Sequence, residues 1–222
     1  MPTLIYCAAR QKRFAQIAMD AGYEYGAQLP GYVYFRPYFV DQKYREFNEA
    51  QSEERQRLYR AYRDAIAEHL PALATVPDLE DEDKLSEVLE WAEDIAQDVS
   101  EAVIIVPKVH GIISRLPRAI GGRQVRLGYS VPTSHGATEV MIGEFAGWPV
   151  HALGGSPREQ MYIARYADVR SADGNYMQKP AKFGEILTAT GRDYSLKGIP
   201  GSMYPAFAAS CRNIRAAWEK MG

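Results

Sequence analysis

The chain has little cysteine: two residues, Cys7 and Cys211, among 222. That excludes a disulfide framework and a four-cysteine zinc site; a single bridge between the two is the alternative to the expected reading, two separate thiols in a reducing compartment. Histidine is scarce as well. His69, His110, His135 and His151 are the four present, and none of their spacings is that of a metal site. No apolar run reaches 18 residues, which argues against a spanning helix. The opening Met1-Pro2-Thr3-Leu4-Ile5-Tyr6 has no charged leader region followed by a small-residue cleavage site, so a cytoplasmic protein is expected. An excess of one charge is also missing. Lys and Arg total 26 against 28 Asp and Glu, a net charge of −2, which argues against a strongly basic nucleic-acid binder but permits a local basic face. No motif calls for a cofactor or a metal.

Aromatic residues are plentiful, with 15 Tyr, 7 Phe and 3 Trp. A disordered chain would be poor in them. A chain of this length buries roughly 70% of its unfolded surface, so a core forms without staples. Strand-like runs at Thr3–Ala9, from Tyr23, at Ala72–Val76, Ala102–Val106, Val125–Tyr129, Pro149–Leu153 and Asp168–Ala172 alternate with helical patterns. The helices are expected at Gln11–Ala21, within 41–70, at Asp83–Val99, Arg158–Tyr166 and about 203–221. Alternation of this kind implies βαβ units and parallel strands. The strand count, with no GxGxxG after the first strand, predicts an α/β fold: a compact, TIM-barrel-like (β/α) barrel of seven or eight mostly parallel strands. Val140–Phe145 is the candidate for the eighth. The whole chain reads as one barrel domain with a helical insertion at about 41–70 and a closing C-terminal helix.

In such a barrel the chemistry sits at the C-terminal strand ends. Those ends carry Arg10; Gln28; Asp78 and Glu80; Lys108 and His110; Tyr129, Ser130 and Thr133; Gly154, Gly155 and Ser156; and Asp173 with Asn175. The turn Gly154-Gly155-Ser156-Pro157 has two readings. It is a tight strand-to-helix turn with Ser156 as N-cap and Pro157 at N1, or an anion cradle at a helix N-terminus. Asp173 precedes Gly174-Asn175, a turn pair, and has Lys179 and Lys182 downstream. Cations nearby keep a carboxylate ionised, as a carboxylate nucleophile requires. Arg115, Arg118, Arg123 and Arg126 form either a phosphate-binding patch or a solvated face. His151 reads as a core or lining residue of its strand, Cys7 as a buried thiol, and the acidic run Leu79–Asp83 as a helix start.

The stretch from His151 through Leu153-Gly154-Gly155-Ser156-Pro157, a helix, and then Ala167-Asp168 to Asp173 resembles the end of the tRNA-guanine transglycosylase barrel. That family has a Gly-x-Gly-Thr-Pro turn, a helix, a Gly-Val-Asp strand and then a nucleophilic Asp. Lys179, Ala181, Lys182 and Gly184 fall at the family's offsets after the nucleophile. Gly128-Tyr129-Ser130-Val131-Pro132-Thr133 is similar to the strand end that lines the base pocket. Asp78, ahead of a helix with Trp91-Ala92, resembles the base-recognising Asp. The likeness covers about residues 72–184. Two family features are absent: the three-cysteine-plus-histidine zinc site and the Ser-Asp-Ser-Gly-Gly-Phe-Gln motif with the general acid/base Asp. Gly26-Ala27-Gln28 is that motif's only echo. The chain is closest in outline to the small phage and bacterial relatives that place a 7-deazaguanine in DNA.

The resemblance implies a glycosyltransferase that replaces guanine with a 7-deazaguanine in DNA, or alternatively in tRNA, through a covalent intermediate on Asp173. It implies Asp78 on the base edge and Gln28, Lys108, Gly128, Tyr129, Ser130, Gly154, Gly155, Ser156 and Asn175 around the substrate. The phosphates would fall to Arg115, Arg118, Arg123, Arg126, Lys179 and Lys182. Two other readings stay open: a βα-barrel isomerase, lyase or aldolase using Lys108 on a small phosphorylated metabolite, and a non-catalytic nucleobase-binding barrel.

Overall fold

The computed structural model describes residues 1–7, 11–42, 47, 50, 52–132 and 138–221. Eight parallel strands close into a barrel: β1 (Thr3–Cys7), β2 (Glu24–Leu29), β3 (Phe39–Gln42), β4 (Leu73–Thr75), β5 (Ala102–Ile105), β6 (Arg123–Ser130), β7 (Pro149–Leu153) and β8 (Asp168–Gly174). Each pairs with its neighbour in chain order, β5 with β6 included, and β8–β1 closes the ring. The eighth strand is β3, and the expected Val140–Phe145 strand is instead a 3-10 turn at Ile142–Phe145. Phe39–Gln42 is four residues long, with Asp41 and Gln42 at its end, so its own pattern is too short to announce a strand. The hydrogen bonds it makes to β2 and β4 supply what local propensity lacks.

The helices are α1 (Lys12–Asp20), α2 (Ser52–His69), α3 (Leu85–Ala96), α4 (Pro157–Ile163), α5 (Gln178–Ala181) and α6 (Met203–Glu219). With β3 in place, α2 is the crossover from β3 to β4. It seats Tyr59, Tyr62 and Ile66 against the barrel, a helical stripe at i, i+3 and i+7. Two outer layers result. One joins α2 and α3 to the strands through Tyr62, Ile66, Val88, Trp91 and Ile95. The other joins α1 and α6 through Phe14, Tyr6 and Phe207, whose rings meet edge to face at 4.7–5.2 Å. Each fully buried ring of this kind contributes roughly 1.5–3 kcal/mol by burial.

The barrel interior has an apolar floor of Ile5, Phe39, Leu73, Ala102, Ile104 and Val106. Gly128 faces this interior, and a Cβ there would lie 2.7 Å from Val106 and 2.8 Å from Leu153. Glycine is therefore what lets the strands close over the floor. Above the floor, the C-terminal ends of β1, β3, β4, β6, β7 and β8 present Cys7, Asp41, Thr75, Ser130, Leu153 and Asp173 to one mouth. Among the described residues no helix is long and apolar enough to cross a membrane.

Candidate active site

Asp173 is the next-to-last residue of β8, not the turn residue its Gly174-Asn175 neighbours suggest. Its Oδ1 accepts a hydrogen bond from the Gly154 N–H at 3.0 Å and lies 3.3 Å from His151 Nε2. Both contacts fall on Oδ1, and the Cys7 thiol is hydrogen-bonded to the same carboxylate. The strand end is pinned from outside by Gln160, whose amide donates to the carbonyls of Gly154 (2.7 Å) and Asp173 (2.6 Å).

This geometry gives the Gly154-Gly155-Ser156-Pro157 turn a third role. Ser156 does cap α4, in a reciprocal capping box with Glu159 and with Pro157 at N1. That occupies the Ser156 hydroxyl and its N–H, while the Gly154 N–H is spent on the nucleophile candidate. Gly155 has φ +74, and a Cβ there would collide with the Val131 side chain. Gly155→Ala is expected to lower stability by about 1–3 kcal/mol, measured as a lower urea midpoint. An unchanged midpoint would show that the turn relaxes.

The mouth holds a second carboxylate that no motif in the sequence marks. Asp41, at the end of β3, accepts from the Thr75 hydroxyl at 2.7 Å and from the Gln42 N–H at 2.9 Å. Thr75 is held in turn by the Tyr62 hydroxyl of α2, which donates to its carbonyl at 2.9 Å. Enclosure in the mouth pushes the Asp41 carboxyl up to about 7, against the opposing pull of the Thr75 hydrogen bond, and the negative charges of Asp173 and Asp78 add to the rise. Gln28, exposed at the end of β2, is the register neighbour of Asp41.

Asp78 sits where the chain leaving β4 bridges the chain leaving β5, through Leu79 and Pro107. The bridge places the Lys108 ammonium 3.3 Å from the buried Asp78 carboxylate and 2.8 Å from Ser130 Oγ. Burial raises the Asp78 carboxyl to about 6, and the Lys108 charge limits the rise. The Cys7 thiol at the end of β1 is pushed well up by burial and by Asp173 and Asp41, so it stays a neutral thiol. One mouth thus collects Cys7, Asp41, Asp78, Lys108, Ser130 and Asp173. Among the described residues no group of His, Cys, Asp and Glu could hold a metal ion.

Other expected residues lie elsewhere. Tyr129 has outward parity on β6 and packs edge-on against Phe145 at 5.1 Å. His110 pairs with Glu144 on the exposed rim. Asn175, Lys179 and Lys182 are exposed just beyond Asp173. Arg10, Thr133 and His135 lie outside the described residues.

The four arginines do not form a patch. Arg115 pairs with Glu82 at 3.1 Å near the mouth. Arg118 stacks on Trp148 and donates to the Gly147 carbonyl ahead of β7. Arg123 donates to the carbonyls of Ala96 and Ser100 after α3. Arg126 enters the barrel interior, where Ser171 and Glu101 receive it. Chain proximity misleads here because the segment descends the barrel and re-enters it as β6.

The chain belongs to DUF6610, a family of unknown function, which matches residues 18–219. No curated protein matches it.

Proposed function

We propose that this chain is a base-exchange transglycosylase that replaces guanine with a 7-deazaguanine in DNA, working at the mouth of the barrel. The observation that carries this reading is the division of labour among three carboxylates. Asp173 accepts from the Gly154 N–H, Asp78 lies beside the Lys108 ammonium, and Asp41 is enclosed without a cation, where burial favours its protonated form. Carboxylates whose surroundings separate their protonation states are suited to separate acid, base and nucleophile roles. The likeness of the β7–β8 region to the guanine transglycosylases supports the same assignment.

In this reading Asp173 Oδ2 attacks C1′ of the nucleotide, forming a C1′–O bond as the C1′–N9 bond breaks. Protonated Asp41 gives its proton to the departing guanine. The incoming deazaguanine then attacks C1′ through N9, yields its N9 proton to Asp41 and expels Asp173. Protons balance over the cycle, and both carboxyls return to their starting states. Asp78 accepts from the base's N1–H and exocyclic amine, as a carboxylate can do with two oxygens, and Lys108 and Ser130 face the other edge. Exchange is expected to be fastest near pH 7, because Asp41 must be protonated in one half-reaction and ionised in the other.

The target base must leave its stack, so single-stranded DNA is the preferred acceptor. Lys179 and Lys182 lie beside two exposed aromatic residues, Tyr176 and Phe183, a combination suited to a phosphate track with stacked bases. Phe183→Ala is expected to weaken binding of a guanine-containing single strand by about 1–3 kcal/mol. Lys179→Ala with Lys182→Ala should flatten the log–log salt dependence by about 1.4, two phosphates at about 0.7 each. Fluorescence anisotropy over a salt series reads both, and unchanged values would remove this face from the acceptor site.

The function itself is tested by incorporating radiolabelled 7-cyano- and 7-aminomethyl-7-deazaguanine into DNA and tRNA. Label in DNA supports the proposal, and label in tRNA alone redirects it to the RNA acceptor. Folded protein that labels neither overturns it.

A further inference from the structure

A line of polar side chains runs through the otherwise apolar barrel, from its N-terminal end to the mouth. Glu101, just ahead of β5, takes the Tyr38 hydroxyl at 2.8 Å and the Arg126 guanidinium at 3.2 Å. Arg126 Nη1 also reaches Ser171 Oγ at 3.3 Å. Ser171 Oγ lies 2.7 Å from His151 Nδ1, and His151 Nε2 lies 3.3 Å from Asp173 Oδ1. Ser171 and His151 have no exposure at all, and the imidazole leans on the Phe39 ring at 4.7 Å.

Arginine only donates, so Ser171 Oγ accepts from Arg126 with one of its two lone pairs. The buried Ser171 hydrogen needs an acceptor of its own, and His151 Nδ1 at 2.7 Å is the acceptor in its reach among the described residues, so Ser171 donates and Nδ1 accepts. A neutral ring that accepts at Nδ1 carries its proton at Nε2, and that proton points at Asp173. We infer that Arg126, Ser171 and His151 are positioning residues that fix the Nε2–H tautomer of His151 and so aim a buried donor at one oxygen of Asp173. This rests on the reading of Asp173 as the nucleophile. It goes beyond it by assigning work to three residues that never touch the substrate. Holding Oδ1 with His151 and the Gly154 N–H leaves Oδ2 as the attacking oxygen.

The tautomer can be read without any substrate. The protein is labelled with 15N-histidine, and the ring nitrogens are observed by two-bond proton–nitrogen correlation. The His151 signals are identified by their loss in His151→Gln. The expected spectrum has a bare Nδ1 and a protonated Nε2. A protonated Nδ1 with a bare Nε2, or both nitrogens protonated across the neutral range, overturns the inference whatever reaction the protein performs.

Kinetics supply the second readout. In His151→Gln the amide N–H₂ can reach Asp173 much as Nε2–H does, whereas His151→Met leaves no donor. Expected are near-wild-type kcat for the Gln variant and a roughly 10–100-fold loss in kcat for Met with little change in KM. Equal losses in the two variants would mean that His151 only fills space. The spectrum of the wild type stands even where a variant fails to fold.

Discussion

Asp41→Asn is expected to reduce base exchange by about 10²–10⁴-fold while making the protein more stable at alkaline pH. The activity loss is the usual size for removing a general acid/base. The stability gain follows from the raised carboxyl. The folded state holds the Asp41 proton until about pH 7, whereas the unfolded chain releases it near the ordinary Asp value of about 4. Between those values the native state binds more protons than the unfolded one, so the wild type loses stability as pH rises through that window. Above pH 7 the accumulated penalty is on the order of 2–4 kcal/mol. Asn keeps a side-chain oxygen for the Thr75 hydroxyl and carries no charge against Asp173 or Asp78. Urea midpoints at pH 4 and pH 8 check this: the variant should gain at pH 8 and little at pH 4. A variant less stable than wild type at pH 8, or one that exchanges bases at the wild-type rate, would remove Asp41 from its role. Its pH–rate profile should also lose the dependence centred near neutrality.

The largest effect is expected from Asp173→Ala, which deletes the attacking atom. Losses on the order of 10⁴–10⁶-fold accompany removal of a covalent nucleophile. Binding of the single strand should survive, because the proposed phosphate and stacking contacts lie on the segment after β8. The separation of binding from exchange is the informative part. If Asp173→Ala bound no DNA and exchanged no base, the residue would be shaping the mouth rather than attacking C1′. Circular dichroism and the thermal midpoint confirm that the variant is folded. The neighbouring Gly154 N–H and His151 lose only an acceptor.

The barrel was legible in the sequence because most of its strands are buried runs between clear helices, as at Ala102–Val106 and Pro149–Leu153. The nucleophile candidate was legible too, since Asp173 ends a strand and the Gly154–Pro157 turn precedes its helix. Asp41 was hidden for a physical reason. Its strand is four residues long, is flanked by Pro37 and a charged stretch, and exists through pairing with β2 and β4 rather than through its own alternation. An acid directly after Phe39-Val40 was the one local signal available. His151 and Arg126 were visible as residues but not as partners. Their meeting depends on the register that brings β6, β7 and β8 side by side, which no spacing along the chain encodes. The same register scattered the arginines that looked like one patch.

The most direct test of the account is to trap the covalent intermediate. Wild type, Asp41→Asn and Asp173→Ala are incubated with end-labelled guanine-containing single-stranded DNA, quenched in denaturant and resolved on a denaturing gel, and the linked peptide is identified by mass spectrometry. The account predicts a protein–DNA adduct with wild type, attached at Asp173, that is absent from Asp173→Ala. An adduct on any other residue, or label exchanged into DNA by Asp173→Ala as fast as by wild type, would contradict it.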